Sequence, residues 1–457
     1  MRRILFAAAL VATAATPAFA QQALQQALQG VRRVSLEEAV DLSLRGQPAM
    51  VQARQDVRVA NAQERQASAA FLPSITASAN TSRSGGSRSS QFGVPTSVES
   101  FYSSNLRLAA NWDLFTGFRR GAQRNAAGAA SDQRDATLRR QEFATALSTK
   151  QTFFQALAFA ELVNVQETRL RSADEQLKLT SERLRLGATT RSDSLRARVE
   201  YGNAQLALIN AVNNLRDAQA NLARAVQVDG LVMASYDSSL ETRLAPLDTA
   251  ALTRDAMGTA PTIREADATV ANSRAQKNVA RAAWMPTISL GASNTWLAGN
   301  NTINIRDTSG NIVNTIEPTG NPFGGRYLSG WQFNLSVSYP LFNNLTRETN
   351  SISSDATFQA NVARARDARL QLTTALTQAY AALDAASARI QVSTISVAAA
   401  TEDLRMQRER YRLGAVTIIE VLASQGNLDQ AQVDLVQARY DYLVARAQIE
   451  ALVGHSL

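Results

Sequence analysis

Glu182-Arg183-Leu184-Arg185-Leu186-Gly187-Ala188 returns 227 positions later as Glu409-Arg410-Tyr411-Arg412-Leu413-Gly414-Ala415. Asn111-Trp112-Asp113-Leu114-Phe115 returns at the same displacement as Ser338-Tyr339-Pro340-Leu341-Phe342. Upstream, Phe71-Leu72-Pro73-Ser74-Ile75 pairs with Trp284-Met285-Pro286-Thr287-Ile288 at a displacement of 213, so the second copy carries 14 more residues between Pro286 and Leu341. Two copies at so long a period indicate a duplicated structural unit, because a solenoid needs three or more short repeats. The expected division is a first repeat over 21–248 and a second over 249–457, preceded by a leader over 1–20.

The segment before each Leu-Gly-Ala reads as one very long helix. From about 118 to 186 there is no proline, and Gly121 and Gly128 are the only glycines before Gly187; about 344 to 413 contains neither residue. At about 1.5 Å per residue each helix would run on the order of 100 Å. Helices of that length must pack side by side, as a coiled coil or a hollow bundle. The helices that follow, about 190–228 and 417–453, carry heptads. Tyr201, Leu208, Leu215 and Leu222 alternate with Ala204, Ala211, Ala218 and Ala225; Leu428, Leu435, Tyr442 and Ile449 alternate with Ala431, Ala438, Ala445 and Leu452. Such a repeat makes a left-handed supercoil seam, and alanine lets the helices approach closely. Each half therefore supplies a helical hairpin bent at Leu-Gly-Ala.

Four segments instead have a period of two, the pattern of a strand with one apolar and one polar face. Trp331, Phe333, Leu335, Val337, Tyr339 and Leu341 alternate with Gln332, Asn334, Ser336 and Ser338, and Leu106, Leu108, Ala110, Trp112 and Leu114 with Asn105, Arg107, Ala109, Asn111 and Asp113. Ile288, Leu290, Ala292 and Trp296 alternate with Thr287, Ser289, Ser293 and Thr295; Ile75, Ala77 and Ala79 form a weaker fourth set. The expected strands are about 73–82, 104–115, 286–297 and 331–342, each about 10 residues, the length of a tilted bilayer-crossing strand. Trp112, Trp296, Trp331 and Tyr339 suit an interfacial aromatic girdle. A soluble sandwich shows the same alternation. The Ser/Gly-rich stretch 83–103 and the Asn/Gly/Thr-rich stretch 298–330 read as long polar loops and favour a barrel in a bacterial envelope.

Met1-Arg2-Arg3, an apolar run from Ile4 to Ala14 and the triplet Ala18-Phe19-Ala20 form a signal peptide pattern cleaved before Gln21. There is no cysteine, so disulfides and thiolate metal sites are excluded. Lys and Arg number 47 against 39 Asp and Glu. The excess is spread through helical segments among acids, so no nucleic-acid partner is expected. The single histidine, His455, stands at the C-terminus and leaves no histidine triad or metal cluster, so neither catalysis nor a cofactor is expected.

Four strands cannot close a barrel. An open edge in lipid leaves backbone N–H and C=O groups unpaired at several kcal/mol each, so an oligomer is required. A dimer, trimer or tetramer would give 8, 12 or 16 strands, all even numbers known in barrels. Polar faces of Ser, Thr, Asn and Gln would then line a water-filled interior. The fold class expected from the residues is an α+β membrane protein: a β-barrel of four strands per chain, closed by oligomerisation, joined to long α-helices packed as a coiled coil or hollow bundle, with an internal two-fold repeat. The competing reading is an exported, self-assembling coiled-coil structural or adaptor protein without a pore.

Over essentially the whole mature chain these features resemble the TolC family of outer-membrane efflux and secretion channels. The resemblance rests on the two-fold repeat, Pro73 and Pro286 at the helix-to-strand joints, the two Arg-x-Leu-Gly-Ala bends and the heptads behind them. It implies a homotrimer in outer-membrane lipid, an outer-membrane β-barrel continued into a long α-helical coiled-coil periplasmic tunnel, giving passive exit, with energy supplied by an inner-membrane transporter joined through a periplasmic adaptor. It implies that Leu186, Gly187, Ala188, Leu413, Gly414 and Ala415 meet the adaptor, and that Asp193 and Glu420 ring the tunnel mouth. Tyr411 and Asp193 match positions that tie the closed gate, whereas Val416 and Ala423 replace an arginine and an acid there. Arg191 is a possible substitute partner. From the residues alone, the glycines end helices with positive φ and the carboxylates offset a helix dipole. The cargo is not legible.

Overall fold

The structure is a computed structural model that describes residues 32–89, 95–236, 248–299, 303–306, 312–316 and 328–457, with side chains outside 84–102 and 298–328. The leader lies outside the described residues. In chain order the elements are β1 (Arg32–Val34), α1 (Leu36–Gly46), α2 (Pro48–Ala69), β2 (Ser74–Ser89), β3 (Pro95–Phe115), α3 (Arg119–Arg185), α4 (Arg191–Val226), β4 (Val232–Ala234), α5 (Thr249–Thr259), α6 (Pro261–Ala282), β5 (Thr287–Gly299), β6 (Ile303–Arg306), β7 (Ile312–Ile316), β8 (Leu328–Ser338), α7 (Thr346–Arg412) and α8 (Ile418–Val453). Two compact units result. The sheet unit takes Asp56–Asp135 and Ala266–Arg366, and the helical unit takes Met1–Gln55, Ala136–Glu265 and Asp367–Leu457. No helix among the described residues is long and apolar enough to cross a membrane.

The sheet unit is built on four antiparallel strands in the order β2-β3-β5-β8. Directly paired residues lie on one face of a sheet. The register therefore sets Ile75, Ala110, Ala292 and Phe333 in one row and Trp112, Leu290 and Leu335 in another. The opposite face carries Ser74, Asn111, Gly291 and Asn334, then Thr76, Ala109, Ser293 and Gln332. Alternation along each strand has thus become one apolar and one polar surface across all four. The apolar side is uncovered among the described residues, with Trp331, Phe333, Leu335 and Val337 between 65% and 76% exposed. β2 and β8 end the hydrogen-bonded order, so each has one ladder side unpaired among the described residues.

Three strand expectations need correction. β2 and β3 extend through much of the stretch read as a loop, pairing as far as Ser89 with Pro95, with a register shift between Ser84 and Gly86. Serine and glycine are poor strand formers, but pairing with a long partner satisfies their backbone groups. In the second stretch, β6 and β7 form a short hairpin that alternation did not reveal. β8 stops at Ser338, leaving Tyr339 and Leu341 outside it, because Pro340 has no N–H for the ladder.

The two strand-to-helix joints share one construction. Before α3 the chain takes left-handed φ at Gly117 and Phe118, and before α7 at Asn344 and Leu345. These residues therefore precede the helices instead of opening them. Arg120, in the first turn of α3, donates from Nη2 to the Leu114 carbonyl at 3.1 Å and stacks over Phe71 at 5.0 Å. Arg347 donates from Nη2 to Leu341 at 3.2 Å and stacks over Trp284 at 4.6 Å. Each guanidinium thus satisfies a carbonyl freed where the ladder ends and covers the aromatic ring that closes the preceding helix.

Helices α3 and α7 are 67 residues each, of which 136–185 and 367–412 belong to the helical unit, and α4 and α8, within that unit, are 36 each. One apolar cluster joins Phe153, Phe154 and Leu157 of α3 to Leu222 and Val226 of α4, with Val436 and Tyr440 of α8. A second joins Ile263, Leu372, Leu376 and Leu383 to Ile449 and Val453. Lys150 pairs with Glu450 at 2.5 Å, tying α3 to α8. β1 lies parallel to β4 beside the first cluster.

Gly117 is the tightest point of the first joint: at φ 61° an added Cβ would collide with Met285 Cβ and approach the Ala282 carbonyl at 3.0 Å. Gly117→Ala is expected to cost about 1–3 kcal/mol, lowering the melting temperature of the detergent-solubilised protein. Gly121→Ala, with nothing within 4 Å, is expected to be neutral or stabilising by about 0.5–1 kcal/mol.

Candidate functional site at the helix bends

Each long helix ends in the same hydrogen-bonded turn. Gly187 N–H donates to the Leu184 carbonyl at 3.0 Å and Ala188 N–H to Arg183 at 2.7 Å; Gly414 donates to Tyr411 at 3.0 Å and Ala415 to Arg410 at 2.8 Å. This is the Schellman pattern, which needs a left-handed residue at its centre. Gly187 and Gly414 supply it with φ of 70° and 76°. The turns project Leu186 and Leu413 outward, 73% and 77% exposed. All six residues named for an adaptor, Leu186, Gly187, Ala188, Leu413, Gly414 and Ala415, are exposed.

The next helices start on capping boxes. Thr190 Oγ1 accepts from Asp193 N–H at 3.2 Å, while Asp193 Oδ2 accepts from Thr190 N–H at 3.3 Å and from the Thr189 hydroxyl at 2.8 Å. Those two threonines hold the Asp193 carboxyl below the usual aspartate range. Glu420 stands at the matching position of α8, its Oε1 reached by Thr417 N–H and Oγ1 at 3.5 Å each. Both carboxylates therefore have a helix-starting role, and Glu420 remains exposed.

The residues named for a gate do not meet as a set within one chain. Tyr411 is 5% exposed and packs with Ala197, Leu404, Ile418, Val421 and Leu428, and its hydroxyl has no hydrogen-bond partner among the described residues. Asp193 is occupied by its cap, and Arg191 is exposed at the start of α4. Val416 lines the same apolar cluster, and Ala423 is exposed.

Arg183 supplies the contact that sequence reading missed. Its Nη1 donates to the Tyr411 carbonyl at 2.6 Å and its Cζ lies 4.9 Å from the Tyr411 ring centroid. This ties the end of α3 to the end of α7 and sets the two bends side by side. Spacing alone gave no signal for it, because Arg183 and Tyr411 are 228 positions apart and Arg183 belongs to a run of alternating arginines.

Farther from the bends a buried polar chain crosses the bundle. Arg169 of α3 holds Glu200 of α4 at 2.8 Å and stands 3.1 Å from Asp429 of α8, an ion pair without hydrogen-bond alignment. Gln425 donates to Asp429 at 2.8 Å and accepts from Arg408 of α7 at 2.8 Å. Ser424 donates to Asp403 at 2.5 Å. Burial pushes the Asp429 carboxyl up, with Gln425 and Arg169 pulling the other way. The available signal was Ser424 and Gln425 between the buried Val421 and Leu428 on a seam.

No group of acidic or histidine side chains able to hold a metal occurs among the described residues. His455 contacts Asp255 at 3.0 Å, and its pKa is raised first by the Ser456 carbonyl and then by Asp255.

Two measurements probe the bends. Arg183→Met removes a charge-assisted hydrogen bond worth about 1.5–3 kcal/mol, so amide exchange at Gly414 and Ala415 should quicken by roughly tenfold or more, whereas Tyr411→Phe should leave it unchanged. Equal effects would overturn the assignment of Arg183. Because the folded Asp193 carboxyl sits below its ordinary pKa of about 4, its stabilisation is present above that value and lost as pH falls through the lower folded value. Protection of the Ser194 and Leu195 amides should therefore drop on acidification in the wild type, and Asp193→Asn should flatten the dependence.

The sequence profile described as Outer membrane efflux protein matches residues 39–226 and 252–455. Among characterised proteins, the chain is 26% identical over 424 residues to Protein CyaE of Bordetella pertussis, covering 91% of this chain and 81% of that protein. It is 22% identical over 325 residues to outer membrane protein TolC of Escherichia coli, covering 70% of this chain and 63% of TolC. Among solved structures, the CmeC outer membrane channel of Campylobacter jejuni superposes with a TM-score of 0.73 at 16% identity, over 92% of this chain and 85% of CmeC. A profile that accounts for both helical hairpins, on a fold shared over nine-tenths of the chain, makes this protein a member of the outer membrane efflux protein family.

Proposed function

We propose that three copies of this chain close one β-barrel, β8 of each pairing with β2 of the next, and that their helical hairpins continue it as a periplasmic tunnel. As a family member the protein works in the bacterial outer membrane with a periplasmic extension, as the channel of an efflux or secretion system. The observation that carries the barrel is the four-stranded sheet with one continuous apolar face, one polar face and two open edges. Lipid would cover the first face, water the second, and neighbouring copies the edges. Three copies give 12 strands, an even number suited to a channel.

The internal duplication has structural support. The helices fall into matched pairs of 67 and 36 residues, and the two joints repeat the same arginine, aromatic ring and left-handed turn. Passage through such a conduit is passive. An inner-membrane transporter supplies the energy, joined through a periplasmic adaptor docking on the exposed Leu-Gly-Ala bends. At the mouth, repeated copies of Asp193 and Glu420 would concentrate cations.

Reconstitution of the purified protein in planar bilayers tests this reading. The expected result is an oligomer that resists SDS until boiled and forms discrete channels. Asp193→Asn with Glu420→Gln should lower the cation-to-anion permeability ratio severalfold while conserving the oligomer. A stable monomer without conductance would overturn the channel architecture.

A further inference from the structure

At the first strand-to-helix joint a cleft of about 620 Å³ lies between the start of α3 and the end of α6. One wall is apolar and consists of Phe71, Phe115, Phe118 and Met285. Phe115 pairs with Ile288 in the apolar part of the sheet, and the Phe71 carbonyl accepts from Nε1 of Trp112, on that same side, at 3.0 Å. The wall therefore continues the apolar face of the sheet past the end of its ladder. Phe71, Phe118 and Met285 are between 42% and 72% exposed, so much of this wall has no cover among the described residues.

The rest of the lining is polar and cationic, and its charge is unmatched. Arg120 and Arg281 line the cleft with Asn125 and Asn278, and no aspartate or glutamate among the described residues does. Arg120 directs Nη1 and Nη2 to the Ala70 and Leu114 carbonyls at 3.3 and 3.1 Å, so those donors meet neutral groups and the positive charge has no counter-ion among the described residues. Arg281, exposed in the last turn of α6, makes no side-chain hydrogen bond or ion pair among the described residues. Arg119 and Arg124, near Arg120 on α3, are exposed and unpaired in the same sense.

We infer that this cleft binds an anionic phospholipid of the periplasm-facing leaflet, with Arg281 and Arg120 toward its phosphate and the aromatic wall against the first carbons of its acyl chains. This rests on the reading above in which lipid covers the apolar face. A guanidinium presents paired donors that suit phosphate oxygens, and basic pockets at a membrane surface select acidic headgroups. Inorganic phosphate would leave the aromatic wall in water, so the two walls together specify an amphiphile. A zwitterionic headgroup carries its own cation beside the phosphate, and the cleft offers no carboxylate to receive it. The cleft sits where β3 ends and β5 begins. These are the inner strands of the four, so it lies away from the edges at which neighbouring copies would pair.

Native mass spectrometry of the delipidated protein in detergent, titrated with phosphatidylglycerol or phosphatidylcholine, tests the site. The expected result is phosphatidylglycerol retained at one per chain under conditions where phosphatidylcholine is lost, and not displaced by excess inorganic phosphate. Arg281→Gln removes a charge-assisted contact and should weaken that retention by about tenfold or more. Gly121 also lines the cleft, and an added Cβ there meets nothing within 4 Å. Gly121→Leu therefore fills the space with every arginine in place and should weaken retention comparably, whereas Arg216→Gln, exposed on α4, should not. Equal retention of the two lipids, displacement by inorganic phosphate, or unchanged retention in Arg281→Gln or in Gly121→Leu would each overturn the site. A role for Arg281 confined to offsetting the α6 dipole gives that unchanged retention. If the protein instead stays folded and soluble once detergent is removed, the lipid-covered reading of the sheet fails, and the site with it.

Discussion

Backbone hydrogen bonding at the two free sheet edges is the constraint on which the rest depends. A strand edge in water is solvated, but in hydrocarbon each unpaired N–H or C=O costs several kcal/mol. β2 and β8 present those edges on a sheet whose apolar face has no cover among the described residues. In the proposed assembly, side-chain burial against lipid and edge pairing between copies require each other. The chain does not solve this problem alone, and the proposed assembly follows from that insufficiency more than from any single contact.

The joints carry that requirement toward the helices. Where a strand becomes a helix the ladder ends abruptly, and Arg120 and Arg347 meet the carbonyls it leaves behind. Left-handed residues before α3 and α7 turn the chain without glycine at three of four positions, a local strain of order 1 kcal/mol each. Such strain persists because the sheet on one side and the helix on the other both fix the geometry.

At the bends the forces are of two kinds. Schellman turns and capping boxes are local and move with their own hairpin. The contacts of Arg183 with Tyr411, Arg169 with Asp429 and Lys150 with Glu450 instead join one hairpin to the other. A shift of one hairpin against its neighbour would exchange this short set of polar contacts and leave every cap intact. The buried Asp429, incompletely paired, is the costliest of them to leave without its arginine.

Much of this was legible in the sequence because periodicity and glycine act locally. A period of two marked four strands, long runs without proline marked the helices, and Gly187 and Gly414 marked the bends, since only a residue tolerant of positive φ closes such turns. The sequence misjudged the limits of pairing: Ser/Gly-rich strand extensions looked like loops, and Pro340 ended β8 earlier than alternation suggested. Only the tertiary structure decided the strand order, the free edges, the guanidinium of Arg183 on Tyr411 and the polar chain through Arg169 and Asp429. Those depend on residues hundreds of positions apart coming into contact, and no local pattern encodes which distant partner a side chain will meet.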